Sequence, residues 1–591
     1  MAEKTREQIE AKYKWNLNDI YESEEKWEAD FKTLSQSIDA LASLKETMTA
    51  SASALASALE KMDEADLKLE RLYVYARMHR DENNADAKYQ ALSDRAEGLS
   101  VKLSSALSFV DPLLLSLDDG VLERYMKEEP RLKPYGFMLR ELIRAKQHIL
   151  SEKEERLLSL SGDFAGGAKN TFTMLNNADL TFGAVEHNGK TLPLTHGTYI
   201  TLMEGEDREL RKKVYEQYYA PFKRHINTIT STYASSVKKD IFYARARGYE
   251  SALQKALFSD NVPISVYDGL IETIHENLPV MYKYVDLRSR VLGIDELHMY
   301  DIYTPLVGNV KREYPYEKAV EMVKQALSVL GDDYVSTLSE GFDNGWVDVF
   351  ETAGKTSGAY SWGAYGTHPY VLLNHRGNLD SVFTIAHEMG HAMHTYYSNE
   401  SQPHPLAGYV IFVAEVASTV NEILLTKYLL RTTEDKELKK YVLNHYIDQF
   451  RTTVVRQTMF AEFEKIAHHM AENDEPLTTE SLNRVYGDLN ALYYGEKVAR
   501  DDTICCEWAR IPHFYNAFYV YKYATGFSSA VAIVKNIEES ADGLRKYRDF
   551  LRSGGSDHPI PLLEKAGVDM GRAVNDCMEE FNRALAEFMA L

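Results

Sequence analysis

Two histidines four residues apart, His387 and His391, enclose Glu388 in the run Asp380-Ser-Val-Phe-Thr-Ile-Ala-His-Glu-Met-Gly-His391. The run opens on a capping residue and then reads as helix. Residues four apart on a helix lie one turn above each other on the same face, so two imidazoles can meet one divalent cation. Glu388 follows the first histidine and is rotated from it by about 100°. It therefore stays out of the ligand set yet near enough to act as general base toward water, the mechanics of H-E-x-x-H. Two imidazoles call for a third protein ligand. Downstream, residues 408–422 read as a second helix in which Glu415 lies among Phe412, Val413, Ala414, Val416 and Ala417. An unpaired carboxylate in such a stretch is costly, and a cation would remove the cost. Glu422, two turns further along the same face, is placed to support a ligand histidine. Imidazole and carboxylate ligands with one open position are the catalytic preference of zinc. Cobalt or manganese could substitute, because ligand type alone does not choose strictly.

The elements that must carry these groups are mostly helical. Ser23 caps a segment whose Trp27, Phe31 and Leu34 fall at i, i+4 and i+7. Residues 40–59, 67–79 and 92–107 continue in that style. From 161 to 193 the texture changes: SGDFAGGAKNTF and FGAVEHNGKTLPL favour turns and short hairpins. A boundary near residue 195 follows, with an N-terminal helical lobe over 1–195 and a catalytic domain over 196–591. Between Gly354 and Asn378, the runs 359–364 and 369–375 are aromatic, β-branched and bounded by glycines, which predicts a pair of strands. The second run is the expected edge strand for substrate, through Pro369, Tyr370, Val371 and Leu372, with His368 facing the same groove; a peptide can add itself there as a strand.

The chain has 591 residues, long enough for more than one lobe, with 45% hydrophobic and 26% charged side chains. Its formal net charge of -22 repels phosphate backbones, so nucleic-acid binding is not expected. The start, MAEKTREQIEAKYKW, lacks the apolar core of a secretory signal, and no uninterrupted apolar run of about 18 residues suggests a membrane partner. Cys505, Cys506 and Cys577 are too few for a disulfide framework and read as reduced thiols. These features point to the cytoplasm. Oligomeric state is not encoded in any pattern of this kind.

The run His387-Glu-Met-Gly-His391-Ala-Met-His394, followed by Glu415, resembles the thimet-type oligopeptidases, and more closely their bacterial oligoendopeptidase F branch. Lys14-Trp-Asn-Leu-Asn-Asp19, Gly358-Ala-Tyr-Ser-Trp-Gly363, His368-Pro-Tyr370, Arg456-Gln-Thr-Met-Phe-Ala-Glu-Phe-Glu464 and the segment His513–Gly526 agree with it, so the similarity spans essentially the whole chain. It implies a mainly α, two-lobed metallopeptidase with a deep central groove and a small β-sheet beside the zinc helix, cutting short peptides internally. It also implies that a histidine and tyrosines of the C-terminal region stabilise the oxyanion, a task that needs donors beside the metal. The candidates are His513, Tyr515 and Tyr521. Animal members are glycine-rich here and this chain is not, so the register of the tyrosines stays open.

The reaction that follows is hydrolysis with one zinc per chain, Glu388 taking a proton from water and returning it to the leaving amine. Two alternatives stand beside it: a zinc carboxypeptidase or dipeptidase of similar build, and a non-catalytic peptide-binding protein with structural zinc.

Overall fold

The apolar spacing of Trp27 and Leu34 is realised as helix α1 (Glu24–Ala42), which buries both. Helices α2 (Ala52–Glu82) and α3 (Ala87–Leu107) follow it. The structure, a computed structural model, describes residues 5–308 and 312–591. The helical style expected over 40–59 is interrupted: α1 ends at Ala42, and Ser51 restarts the chain by accepting the Ala54 N–H on its side chain at 3.1 Å. Trp27 is fully buried, and its Nε1 donates to the Leu72 carbonyl at 2.9 Å, which locks α1 to α2.

Residues 161–174 depart from expectation. They lie in two helices, Glu152–Ala165 and Gly167–Met174, that abut at Gly166. Glycine lowers helix stability by about 1 kcal/mol without forbidding it. The hairpin forms only at the Asn-Gly pair: β1 (Ala184–His187) and β2 (Lys190–Pro193) are joined by Asn188 and Gly189, both with positive φ.

The chain forms two compact units. Unit 1 comprises residues 1–147, 311–428 and 533–567, and unit 2 comprises 148–310, 429–532 and 568–591. A single cut near residue 195 does not coincide with this division. One of the crossings falls at Tyr428, inside an apolar helix, where composition gives no signal.

Within unit 1, the aromatic and aliphatic side chains of residues 15–103 pack around Tyr370 and Leu372 of a three-stranded sheet. Its strands are β3 (Val347–Asp348), β4 (Tyr360–Trp362) and β5 (Tyr370–Leu372), in the order β3-β5-β4. Unit 2 is tyrosine-rich and is tied by one buried carboxylate. Glu507 accepts from Arg456 at 2.9 Å, Arg510 at 2.7 Å, Tyr486 at 2.6 Å and Tyr219 at 3.0 Å. A fully buried anion persists only when paired and hydrogen-bonded in this way. Cys505, Cys506 and Cys577 are free thiols. One stretch, Ala87–Leu115, is long and apolar enough by composition to cross a membrane, with a mean hydropathy of 1.3. Its Leu92, Ala96, Leu99 and Leu103 pack in the unit 1 core.

Candidate metal centre

Helix α4 (Leu379–Ser401) carries the histidine pair. Its cap is Asn378, whose side chain accepts the Ser381 N–H at 2.9 Å. Asp380, expected as the cap, lies in the first turn, where a carboxylate favours the positive end of the helix dipole. Helix α5 (Ile411–Thr432) carries Glu415 and Glu422.

The two helices approach closely. A β-carbon built on Gly390 would stand 2.5 Å from the Ser418 α-carbon and 2.8 Å from the Ala417 carbonyl oxygen. Asn421 adds a tie by donating to the Ala386 carbonyl at 3.0 Å. The result is a convergence of three ligand atoms. Nε2 of His387 lies 3.2 Å from Nε2 of His391, and Oε2 of Glu415 is 3.3 Å from the first and 3.4 Å from the second. Among the described residues this is the one cluster of three or more His, Cys, Asp or Glu side chains close enough to share an ion.

The donor chemistry fits a divalent cation. A neutral imidazole has one N–H, and with that of His387 directed from Nδ1 to Glu422 its Nε2 presents a lone pair beside the carboxylate oxygen. A single positive charge among them satisfies all three lone pairs. Nδ1 of His387 lies 2.5 Å from Oε1 of Glu422, which fixes the Nδ1–H tautomer and turns the Nε2 lone pair inward.

Electrostatics follow the same geometry. Among the side chains alone, burial acts to lower the His387 pKa, but bonds to Glu415 and Glu422 outweigh it and push it up to about 10, so the carboxylates call for a positive charge that a metal ion would supply in place of the proton. Burial acts to raise the Glu415 carboxyl, and the two imidazoles hold it well below the usual carboxylate range. Glu388 is 7% exposed, and burial raises its proton affinity, partly offset by His387 and His391. Glu415 itself differs from expectation. Its side chain is 40% exposed, because α5 turns Phe412, Val413, Val416 and Ala417 into the core and the carboxylate toward the histidines. His394 is buried and stacks on Tyr409 at 3.8 Å, and burial lowers its pKa to about 3.

The expected substrate strand is corrected. Residues 369–375 do not form an edge: β5 is the central strand, parallel to β3 and antiparallel to β4. Val371 and Leu373 donate to the Trp346 and Asp348 carbonyls at 2.8 Å each. Tyr370, Val371 and Leu372 are fully buried. His368 stacks on Trp346 at 5.1 Å and meets Asp19 at 3.0 Å, so it anchors the N-terminal segment. Pro369 closes against Gly363. The two-residue β3 lies more than twenty residues upstream and has no periodicity to betray it. The edges are β3 and β4, each paired with β5 alone among the described strands. Beside β3 the N-terminal segment is bonded through the Val349 N–H to the Tyr13 carbonyl at 3.0 Å and the Asn16 N–H to the Gly345 carbonyl at 2.7 Å.

In unit 2, the segment 512–523 separates its aromatic residues. Tyr515 is buried, stacks on Phe172 at 4.4 Å, and has its hydroxyl 2.7 Å from Thr232 Oγ1. Tyr521 is buried against Tyr267. His513 is partly exposed, beside Tyr519 at 6.4 Å and Tyr523 at 6.1 Å. Burial lowers the His513 pKa. Between them Phe518 holds a φ of 59°, and its N–H donates to buried Glu464 at 3.1 Å. Gly390 and Asn421 were not singled out from sequence. Gly390 carried the clearest signal, as a helix-weakening residue beside a ligand.

A family model described as Peptidase family M3 matches residues 201–580, and one described as Oligopeptidase F matches residues 114–182. The chain belongs to peptidase family M3. This M3 chain is 44% identical over 567 residues to Oligopeptidase PepF of Bacillus subtilis (strain 168), covering 96% of this chain and 85% of that protein. It is 39% identical to the plasmid oligoendopeptidase F of Lactococcus lactis subsp. cremoris, over 100% of this chain and 98% of the relative. Among solved structures, oligoendopeptidase-F from Enterococcus faecium superposes with a TM-score of 0.74 at 36% identity, over 96% of this chain and 99% of that one. A solved protein of Chlamydophila abortus gives 0.94 at 35% identity, over the full length of both. As an M3 member the chain is a peptidase, and its mainly α fold is that of its M3 neighbours.

Proposed function

We propose that this chain is a zinc-dependent endopeptidase that hydrolyses internal bonds of short oligopeptides. The observation that carries this reading is the convergence of His387, His391 and Glu415 with buried Glu388 one residue from a ligand. A zinc ion held by that set would supply Lewis acidity and make water acidic near neutral pH. Glu388 takes the proton from water and delivers it to the leaving amine. Its burial suits a carboxyl that must hold a proton in mid-reaction. Glu422 keeps His387 in the tautomer that presents Nε2 to the metal.

The substrate backbone pairs along the outer edge of β4, the β3 edge being bonded to the N-terminal segment. Oxyanion donors come from His513 with Tyr519 and Tyr523, rather than from Tyr515, whose hydroxyl is engaged by Thr232. The printed names of the curated relatives, oligopeptidase and oligoendopeptidase F, support short peptides and internal cleavage.

The experiment is metal analysis joined to cleavage of acetylated, amidated peptides of graded length. Loss of cleavage with chelator and its return with zinc are expected. Trimming of free peptides with blocked ones left intact would make the enzyme an exopeptidase and overturn the endopeptidase assignment.

A further inference from the structure

A cavity of about 930 Å³ opens in unit 1 beside the C-terminal half of α4. Thr395, one turn beyond His391, and Asn399, a further turn on, form one wall, and Ser361, Trp362 and Gly363 at β4 form another. A helical turn is about 5.4 Å, so the cavity starts within a side chain's length of the metal ligands. It also runs beside the strand on which the substrate backbone is placed.

The facing wall is α2. Asp63, Asp66 and Glu70 recur there at i, i+3 and i+7, one stripe of the helix, with Leu59, Met62 and Leu69 as apolar flanks. Among the described residues one cationic side chain pairs with this stripe, and the Tyr365 N–H donates to Glu70 at 3.1 Å. His404 places Nδ1 2.6 Å from Asp63 and Nε2 3.5 Å from Glu70. Even with that imidazole protonated, the three carboxylates exceed it by two negative charges. Asp66 is solvent-exposed on this wall and has no ion-pair partner among the described residues; partial desolvation and the neighbouring Glu70 and Asp63 carboxylates raise its pKa against His404. Carboxylates gathered on one wall of a cleft draw cations toward it. With Trp362 of the β4 wall, Tyr135 and Tyr365 also line the cavity, and aromatic rings are surfaces on which a planar guanidinium stacks. Apolar flanks, aromatic lining and surplus negative charge match an arginine side chain, with its long apolar stem and delocalised cation.

We propose that this cavity is a substrate subsite for an arginine side chain of the bound peptide, with Asp66 as its specificity-determining carboxylate. The inference rests on the peptidase reading above and names the substrate class of that same site.

The test uses acetylated, amidated peptides with one scissile bond, carrying arginine or its neutral isostere citrulline at successive positions. At one position kcat/KM should favour arginine by about tenfold or more, mainly through KM, the effect of one charged hydrogen bond. Asp66→Asn should bring the arginine-to-citrulline ratio toward one. The ratio corrects for any general loss of activity, and Glu70→Gln is the second variant should Asp66→Asn fold poorly. Equal rates for the two peptides at every position, or an arginine preference that survives both variants, would overturn the subsite. So would a preference seen only with a free α-amino group, which would give the cavity to the peptide's amino terminus. Failure to cleave any peptide counts against the peptidase reading alone. Dissociation constants of the same peptide pairs on Glu388→Gln then decide the subsite, and equal values overturn it.

Discussion

The Ser418 α-carbon occupies the space that a side chain at Gly390 would need, 2.5 Å from its β-carbon position. The helix carrying two ligands and the helix carrying the third therefore touch backbone to backbone. Gly390→Ala should force them apart, because the obstacle is main chain rather than a flexible side chain. Overpacking of this kind costs about 1–3 kcal/mol. A lower Tm with weakened zinc affinity in a competition titration is expected. Wild-type affinity in a stably folded variant would show that the contact does not set the ligand geometry.

Glu388→Gln preserves shape and burial but removes the proton acceptor. Cleavage of a blocked peptide should fall by about 10²–10⁴-fold, with Tm and zinc content retained. Unchanged kcat would end the role assigned to this residue.

Glu422→Gln leaves the helices packed but weakens the acceptor for His387 Nδ1. Loss of such a partner lowers metal affinity by about 10–100-fold. Activity should recover at high zinc, which separates this effect from that of Glu388→Gln.

His513 and Tyr515 should respond differently to substitution. Tyr515→Phe removes a hydroxyl bonded to Thr232 inside unit 2, so it should lower Tm by the equivalent of about 1 kcal/mol and spare kcat. His513→Gln, at a partly exposed position, should lower kcat by about 10²-fold with little change in Tm. The reverse pattern would return the oxyanion role to Tyr515.

His404 sets a pH dependence of stability. Its hydrogen bond to Glu70, helped by Asp63 and opposed by burial, raises its pKa from 6.5 to about 9. A raised folded-state pKa means the stabilisation is complete below pH 6.5 and is lost as pH climbs through 9. The Tm advantage of wild type over His404→Gln should therefore shrink between pH 6.5 and 9.5. An advantage independent of pH would assign it to packing.

What was legible in the sequence is what helix geometry makes local. His387, Glu388 and His391 share one helix, and Glu415 and Glu422 lie two turns apart on another, so periodicity alone predicted their faces. The central position of β5 was not legible, because it depends on parallel pairing with a two-residue strand that only the folded chain brings near. The tyrosines of 515–523 were ambiguous for a different reason. The segment contains a 3-10 turn and a positive φ at Phe518, so no fixed period assigns its faces. The fold class was readable because long amphipathic stretches dominate, whereas Gly166 misled by carrying a turn composition into a helical region.

His387, Glu388, His391, Glu415 and Glu422 all belong to unit 1, on two helices joined at Gly390 and Asn421. The spacing of the candidate ligands is thus inherited from packing inside one compact unit, and bringing the three together draws on no residue of unit 2.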